Sequence, residues 1–222
     1  MPPKKPTGER SLSQRVKTAK GRAISSTIWL QRHLNDPYVQ KAQLDGYRAR
    51  SAYKIAELDD KYKLLGPGMK IVDLGAAPGG WAQVAIERGA TRVIGIDILP
   101  MEPLAGAEFI EMDFNDNEAP ARLKELLDGQ ADVVLSDLAP NTIGHKATDH
   151  LRQVAIVELA IHFAIEVLKP GGAFVAKVFQ GGTQHELLAL LKQNFKTIKH
   201  VKPPSSRKGS SEWFVVAQGF KG

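Results

Sequence analysis

The sequence predicts an α/β fold: a doubly wound, mostly parallel seven-stranded sheet with helices on both faces and an antiparallel last strand. Three observations carry this. Short β-branched runs alternate with helical windows over most of the chain, a glycine-rich turn stands between the first run and the helix after it, and the C-terminus closes on two strand-like runs joined by a loop. Continuous apolar runs separated by helices mark a parallel sheet buried on both faces.

Residues 25–65 read as helical. Ser25 or Ser26 can cap a segment holding Ile28, Trp29 and Leu30; Asp36-Pro37 can start the next; Ser51 precedes Tyr53, Ile55, Ala56 and Leu58 at helical spacing, and Gly66-Pro67-Gly68 stops the pattern. The strand runs are residues 70–74, 92–98, 108–112, 132–135 and 173–179. Between them, residues 81–88, 119–127 and 150–168 are long enough to be crossover helices. Residues 184–194 form a further helical window, and 197–202 and 212–218 read as two strands joined by the 203–211 loop. That closing hairpin favours a Rossmann-like domain of the methyltransferase type over a plain dinucleotide fold.

With 222 residues, 43% hydrophobic and 24% charged, the chain can bury a core of catalytic size, which excludes wholesale disorder. We expect one domain over residues 23–222, its first part (23–66) helical, preceded by a basic arm over residues 1–22. The arm holds seven basic residues (Lys4, Lys5, Arg10, Arg15, Lys17, Lys20, Arg22) against Glu9 alone, so it carries the whole net charge of +6. It has three prolines and no aromatic residue, a composition that stays disordered when free and suits either a polyanion-binding arm or a solubilising leader. Further basic residues stand among potential base-stacking groups: Arg32, Lys41, Tyr47, Arg48, Arg50, Tyr53 and Lys54, then Lys196, Lys199, Lys202, Arg207 and Lys208. If the fold brings these to one face they make a nucleic-acid footprint.

No run approaches the roughly 18–20 apolar residues of a membrane span, and the N-terminus lacks the apolar core of a secretion signal, so a cytoplasmic location is expected. The absence of cysteine excludes disulfides, thiolate–metal sites and cysteine nucleophiles. The six histidines have neither HExxH nor close spacing, so no metal site is expected.

The first strand ends in DLGAAPGGW, which places G-x-A-x-x-G at Gly75, Ala77 and Gly80 between a strand and a helix. Small residues let backbone approach a ligand, and the helix start offers free N–H groups. Asp97 ends the second strand where an acid meets ribose hydroxyls. Asp113 closes the third, where it could accept from the exocyclic amine of adenine or simply cap a turn before Phe114. Both NAD and S-adenosylmethionine (SAM) carry adenosine; the loop is less glycine-rich than a dinucleotide fingerprint, and SAM has no pyrophosphate to cradle, so SAM is favoured.

Lys177 lies inside a strand that should be buried, where an unpaired ammonium costs several kcal/mol. Asp137, at the end of the neighbouring strand in SDLAPN, is its natural partner, as a buried structural pair or as part of a site. Lys54 on a helix and Glu212 at the start of the last strand say little singly.

Together, SAYKI around Lys54, DLGAAPGGW, Asp97 followed by Leu99-Pro100-Met101, Asp113, SDLAPN around Asp137, AKVFQG around Lys177 and SRKGSSEWFVVA around Glu212 resemble the FtsJ/RrmJ family over about residues 36–217. The resemblance implies a bacterial SAM-dependent 2′-O-ribose methyltransferase acting on the A-loop uridine of 23S ribosomal RNA in the large ribosomal subunit, with transfer RNA or another RNA as the alternative substrate; we expect a monomer. It implies a catalytic tetrad of Lys54, Asp137, Lys177 and Glu212, and SAM contacts at Gly79, Trp81, Asp97, Asp113 and Asp137. No family role falls on the first 22 residues.

In that chemistry a ribose 2′-oxygen attacks an already activated methyl, and the enzyme aligns the reactants and manages one proton. Lys177 is the candidate base. An ordinary lysine is protonated at neutral pH, but two unit charges ~5 Å apart at an effective dielectric of ~20 repel by roughly 3 kcal/mol, which favours a neutral amine beside a sulfonium. The segment Leu138-Ala139-Pro140-Asn141 has no aromatic immediately following to clamp a flipped base, so oxygen is preferred to a base nitrogen as the target.

Overall fold

The computed structural model describes residues 24–140, 143–179 and 185–222; the 1–22 arm and the expected helix start at Gln184 lie outside them. Three helices come first: α1 (Ile24–Leu34), α2 (Pro37–Asp45) and α3 (Ala52–Tyr62). Asp36 caps α2 by accepting from the Tyr38 N–H at 3.0 Å, with Pro37 in the first turn as its fixed φ allows. The helix α3 stops before the Gly-Pro-Gly segment, because Lys63 turns left-handed at φ 55°.

The sheet follows: β1 (Lys70–Leu74), α4 (Gly80–Glu87), β2 (Arg92–Asp97), β3 (Ala107–Glu111), α5 (Ala119–Leu127), β4 (Ala131–Ser136), α6 (Lys146–Val167), β5 (Leu168–Phe179), α7 (His185–Asn194), β6 (Phe195–Val201) and β7 (Glu212–Phe220). Its order is β3-β2-β1-β4-β5-β7-β6. Strands β1 to β5 pair in parallel, and β7 runs antiparallel to both β5 and β6. The order reverses between β1 and β4, and a crevice opens there beyond the strand C-termini.

Alternation along the strands divides the core. Val72, Leu74, Ile94, Ile96, Val134, Phe174 and Ala176 pack against α5, α6 and α7, while Ile71, Val93, Val133, Leu135, Val175 and Phe214 pack against α3 and α4. Period two therefore puts Asp73 and Lys177 on the α3/α4 face. Ser25 and Ser26, expected as caps, lie inside α1, and two bounds depart from the sequence reading by more than two residues. Helix α6 begins four residues early because His145 caps it, its ring nitrogen lying 3.4 Å from the Thr148 N–H. Strand β5 begins at Leu168, through a Pro-Gly-Gly segment that reads as a turn, with a register irregularity opposite Ala131 and Val133.

Candidate active site

Where β1 ends, the chain turns at Gly75 with φ 78°, and a Cβ there would lie 2.9 Å from the Leu138 nitrogen. The loop is thus pressed against the backbone leaving β4. Gly79, at φ 104°, precedes α4 under the Arg48 guanidinium, 3.0 Å from where its Cβ would be. Asp97 anchors the loop from β2: one carboxylate oxygen accepts from the Ala77 N–H at 2.9 Å, the other from Leu99 at 3.0 Å. Asp113 does form a turn, one oxygen accepting from the backbone and side-chain nitrogens of Asn115 at 2.9 and 2.8 Å.

Asp97, Asp113 and Asp137 line one crevice of about 510 Å³, with Gly75, Ala77 and Leu138. Among the described residues, Gly79 and Trp81 stand outside that lining. The Trp81 ring is buried against Phe214, its centroid 5.7 Å away, and its indole N–H donates to the Ser51 carbonyl at 2.9 Å. Only the backbone at the start of α4 is left to face a ligand from Trp81.

Lys177, 6% exposed, reaches Asp137 twice: its ammonium lies 3.1 Å from the carboxylate and donates to the backbone carbonyl at 2.7 Å. The second lysine, Lys54, pairs with Glu212 at 2.9 Å and lies 5.5 Å over the ring of Phe214. Phe214 is the residue opposite Lys177 in the β5/β7 ladder, so the two pairs meet on one face of two neighbouring strands. Burial pushes the Glu212 carboxyl up, but the charges of Lys54 and then Lys177 outweigh it and hold the group below its ordinary value. Both ammoniums are therefore felt at one carboxylate.

Sequence reasoning missed three features. Asp73 is buried, neither carboxylate oxygen has a hydrogen-bond partner among the described residues, and burial, with the charges of Asp137 and Asp97, pushes it up to about 8. A charged residue inside an apolar strand was the available signal. Arg48 spends its guanidinium on three carbonyls, those of Pro78, Glu102 and Pro103, at 3.2, 2.7 and 2.6 Å. Asp36, read as a helix cap, also holds two arginines: Arg50 at 2.5 Å and Arg207 at 2.9 Å. The helical N-terminal part and the β6–β7 loop thus meet, which brings Arg32, Arg50, Lys54 and Arg207 of the two basic groups to one face. Tyr53 and Tyr47 are not stacking platforms, however. Tyr53 is buried with its hydroxyl on Asp45 at 2.7 Å, and the Tyr47 hydroxyl donates to Glu87 at 2.6 Å, with burial and that carboxylate pushing it up to about 12.

Among the described residues there is no cluster of three metal-ligating side chains, and no helix is long and apolar enough to cross a membrane. A family model described as FtsJ-like methyltransferase matches residues 47–220. The ribosomal RNA large subunit methyltransferase E of Maricaulis maris is 61% identical over 96% of this chain and 76% of its own length. The protein of the same name from Novosphingobium aromaticivorans is 58% identical over 96% of this chain and 97% of its own. A crystal structure from Plasmodium falciparum described as a ribosomal RNA methyltransferase superposes with a TM-score of 0.70 at 33% identity, covering 79% of this chain and all of that one.

Proposed function

This chain belongs to the FtsJ-like methyltransferase family, and from that premise we propose that it methylates the 2′-oxygen of a uridine ribose in the A-loop of 23S ribosomal RNA, acting as a monomer with SAM. One observation carries the reading: the four polar residues bridge two cavities. Asp137, which holds Lys177, lines the 510 Å³ crevice, whereas Lys54 and Glu212 line a second cleft of about 910 Å³. A transferase needs a donor pocket and an acceptor pocket with its reacting groups at their border.

The residues present fit a cationic, adenosine-bearing donor. Asp97 and Asp137 place carboxylates at the ends of β2 and β4, and the buried carboxyl of Asp73, orphaned among the described residues and pushed up to about 8, is a group that a bound cation would ionise. Such a site attracts an ammonium and a sulfonium and repels a pyrophosphate. Asp97 keeps acceptor capacity for ribose hydroxyls, Asp113 has an oxygen available for an exocyclic amine, and the loop at Gly79 and Trp81 offers backbone. When bound, SAM supplies a methyl group activated by its positive sulfur.

The chain's own residues then do two things. Once its ammonium has released a proton, the neutral Lys177 amine receives the proton of the 2′-hydroxyl, a role worth roughly 10²–10⁴-fold, while Asp137 fixes its direction. Lys54, steadied by Glu212, holds the acceptor ribose at the mouth of the second cleft. The basic residues of positions 1–22 add phosphate contacts, so deleting them should weaken RNA binding and flatten its salt dependence.

The test is tritium transfer from methyl-labelled SAM to large ribosomal subunits from cells lacking the protein, followed by mapping of alkali-resistant linkages. Label in one A-loop ribose is expected. Label in a base, or in transfer RNA alone, would refute the assignment.

A further inference from the structure

We propose that the second cleft holds the phosphodiester backbone flanking the acceptor ribose, with Arg32 and Arg207 as its phosphate contacts and Asp36 as the residue that positions Arg207. This rests on the reading of the chain as an RNA methyltransferase. The cleft lies between α1, α3 and the loop joining β6 to β7, and Arg32, Arg50 and Arg207 line it beside Lys54 and Glu212. Glu212 matches Lys54, and Asp36 offsets one of the two arginines it touches. Among its described residues the wall therefore keeps a formal surplus of two positive charges next to the Lys54–Glu212 pair.

The loop that carries Arg207 is tied down. Ser205, fully buried, donates its backbone N–H and its hydroxyl to Glu57 at 2.8 and 2.7 Å, and its carbonyl accepts from Arg50. Lys202 donates to the Ser210 carbonyl at 2.7 Å, and the Ser210 hydroxyl accepts from the Glu212 N–H at 3.1 Å. The fastening of the loop is thus continuous with the start of β7. Within it, Arg207 gives its Nε to Asp36, an arrangement that leaves the two terminal nitrogens of a 40%-exposed side chain as a preset fork. An arginine fork matches a phosphate bidentately, and ordering it in advance removes part of the entropy cost of binding.

The other wall comes from outside the segment that the family model matches. Arg32 is exposed on α1, ahead of residue 47, and α1 follows directly in sequence on the stretch that carries the seven basic residues of positions 1–22.

The experiment measures the KM for a 23S RNA fragment spanning the A-loop, as a function of KCl, together with calorimetric SAM binding. Arg32→Gln and Arg207→Gln should each raise the RNA KM about tenfold and reduce the slope of log KM against log salt by about 0.7–0.9, one phosphate contact apiece, leaving SAM affinity as it is. Asp36→Asn, which still caps α2, should raise the KM while keeping the slope, because the charge of Arg207 survives and only its placement is lost. Lys192→Gln on α7 should do neither. The cleft assignment is overturned if the wild type methylates the fragment while Arg32→Gln and Arg207→Gln keep its KM and salt slope, or if they weaken SAM binding as much as RNA binding. Should the wild type label neither the fragment nor large ribosomal subunits, the proposed function itself fails. Filter binding of the same fragment then decides the cleft separately, an unaltered salt slope in both variants overturning it.

Discussion

Replacing Lys177 separates a proton acceptor from a structural cation. Its ammonium is almost wholly buried and meets Asp137 at 3.1 Å through the carboxylate and at 2.7 Å through the carbonyl. Lys177→Met leaves that carboxylate, 21% exposed, without its cation and close to Asp73. Breaking a fully buried pair costs about 3–5 kcal/mol, and solvent reaching Asp137 lowers this to about 2–3 kcal/mol. For a chain of this length that is a fall of roughly 4–12 °C in Tm. Lys177→Arg keeps a cation and costs only the overpacking of a larger group, about 1–3 kcal/mol. Neither side chain can accept a proton at working pH. Both variants should therefore lose at least about a hundredfold in single-turnover transfer of tritiated methyl, the lower end of what a general base contributes. Calorimetric SAM affinity should stay within a few fold. A folded Lys177→Arg chain that transfers methyl at a tenth of the wild-type rate or faster would show that the amine merely anchors Asp137.

Three further outcomes follow from the cofactor side. Asp73, pushed up to about 8, binds a proton in the folded chain that it gives up on unfolding, so stability falls as pH rises between about 4 and 8. Asp73→Asn should flatten that fall and melt above the wild type at pH 8 while binding SAM at least tenfold more weakly; parallel Tm-against-pH curves would refute the linkage. Gly75→Ala forces a side chain onto a φ of 78° with its Cβ 2.9 Å from backbone, a strain of about 1–3 kcal/mol that urea titration should register as a lower midpoint. Arg48→Lys can satisfy one of the three carbonyls that the guanidinium now bridges, and should raise the SAM dissociation constant about tenfold by loosening the loop at Pro78 against residues 102–103; an unchanged constant would remove Arg48 from the site.

Local pattern was enough for the elements and for much of the chemistry. The pattern of β-branched and aromatic runs gave all seven strands: β1, β2, β4, β5 and β7 because a strand buried on both faces is apolar almost throughout, and the half-exposed edge strands β3 and β6 by residue type alone. Lys177 announced its own need for a partner by being charged in such a strand, and Asp137 was the acid at the nearest strand end. The starts of α6 and β5 escaped because neither has a usual signal: a histidine caps the one, and the other runs through Pro-Gly-Gly, with Gly171 at φ 87° and a register irregularity alongside. Tyr53 and Tyr47 misled for a related reason. An aromatic among basic residues looks the same in sequence whether its ring faces solvent or, as here, the packing between helices.

By itself, then, the sequence determined the α/β layering, the glycine loop, the acids at the strand ends and the buried lysine, all consequences of periodicity and of the cost of burying charge. Only the tertiary structure decided which distant residues meet. Lys54 and Glu212 are 158 positions apart and Asp36 and Arg207 are 171 apart, and nothing local encodes either contact. The antiparallel register of β7 against β5 sets the first, and the docking of the β6–β7 loop on the N-terminal helices sets the second. Both depend on side chains packing across the sheet, which no window of sequence contains.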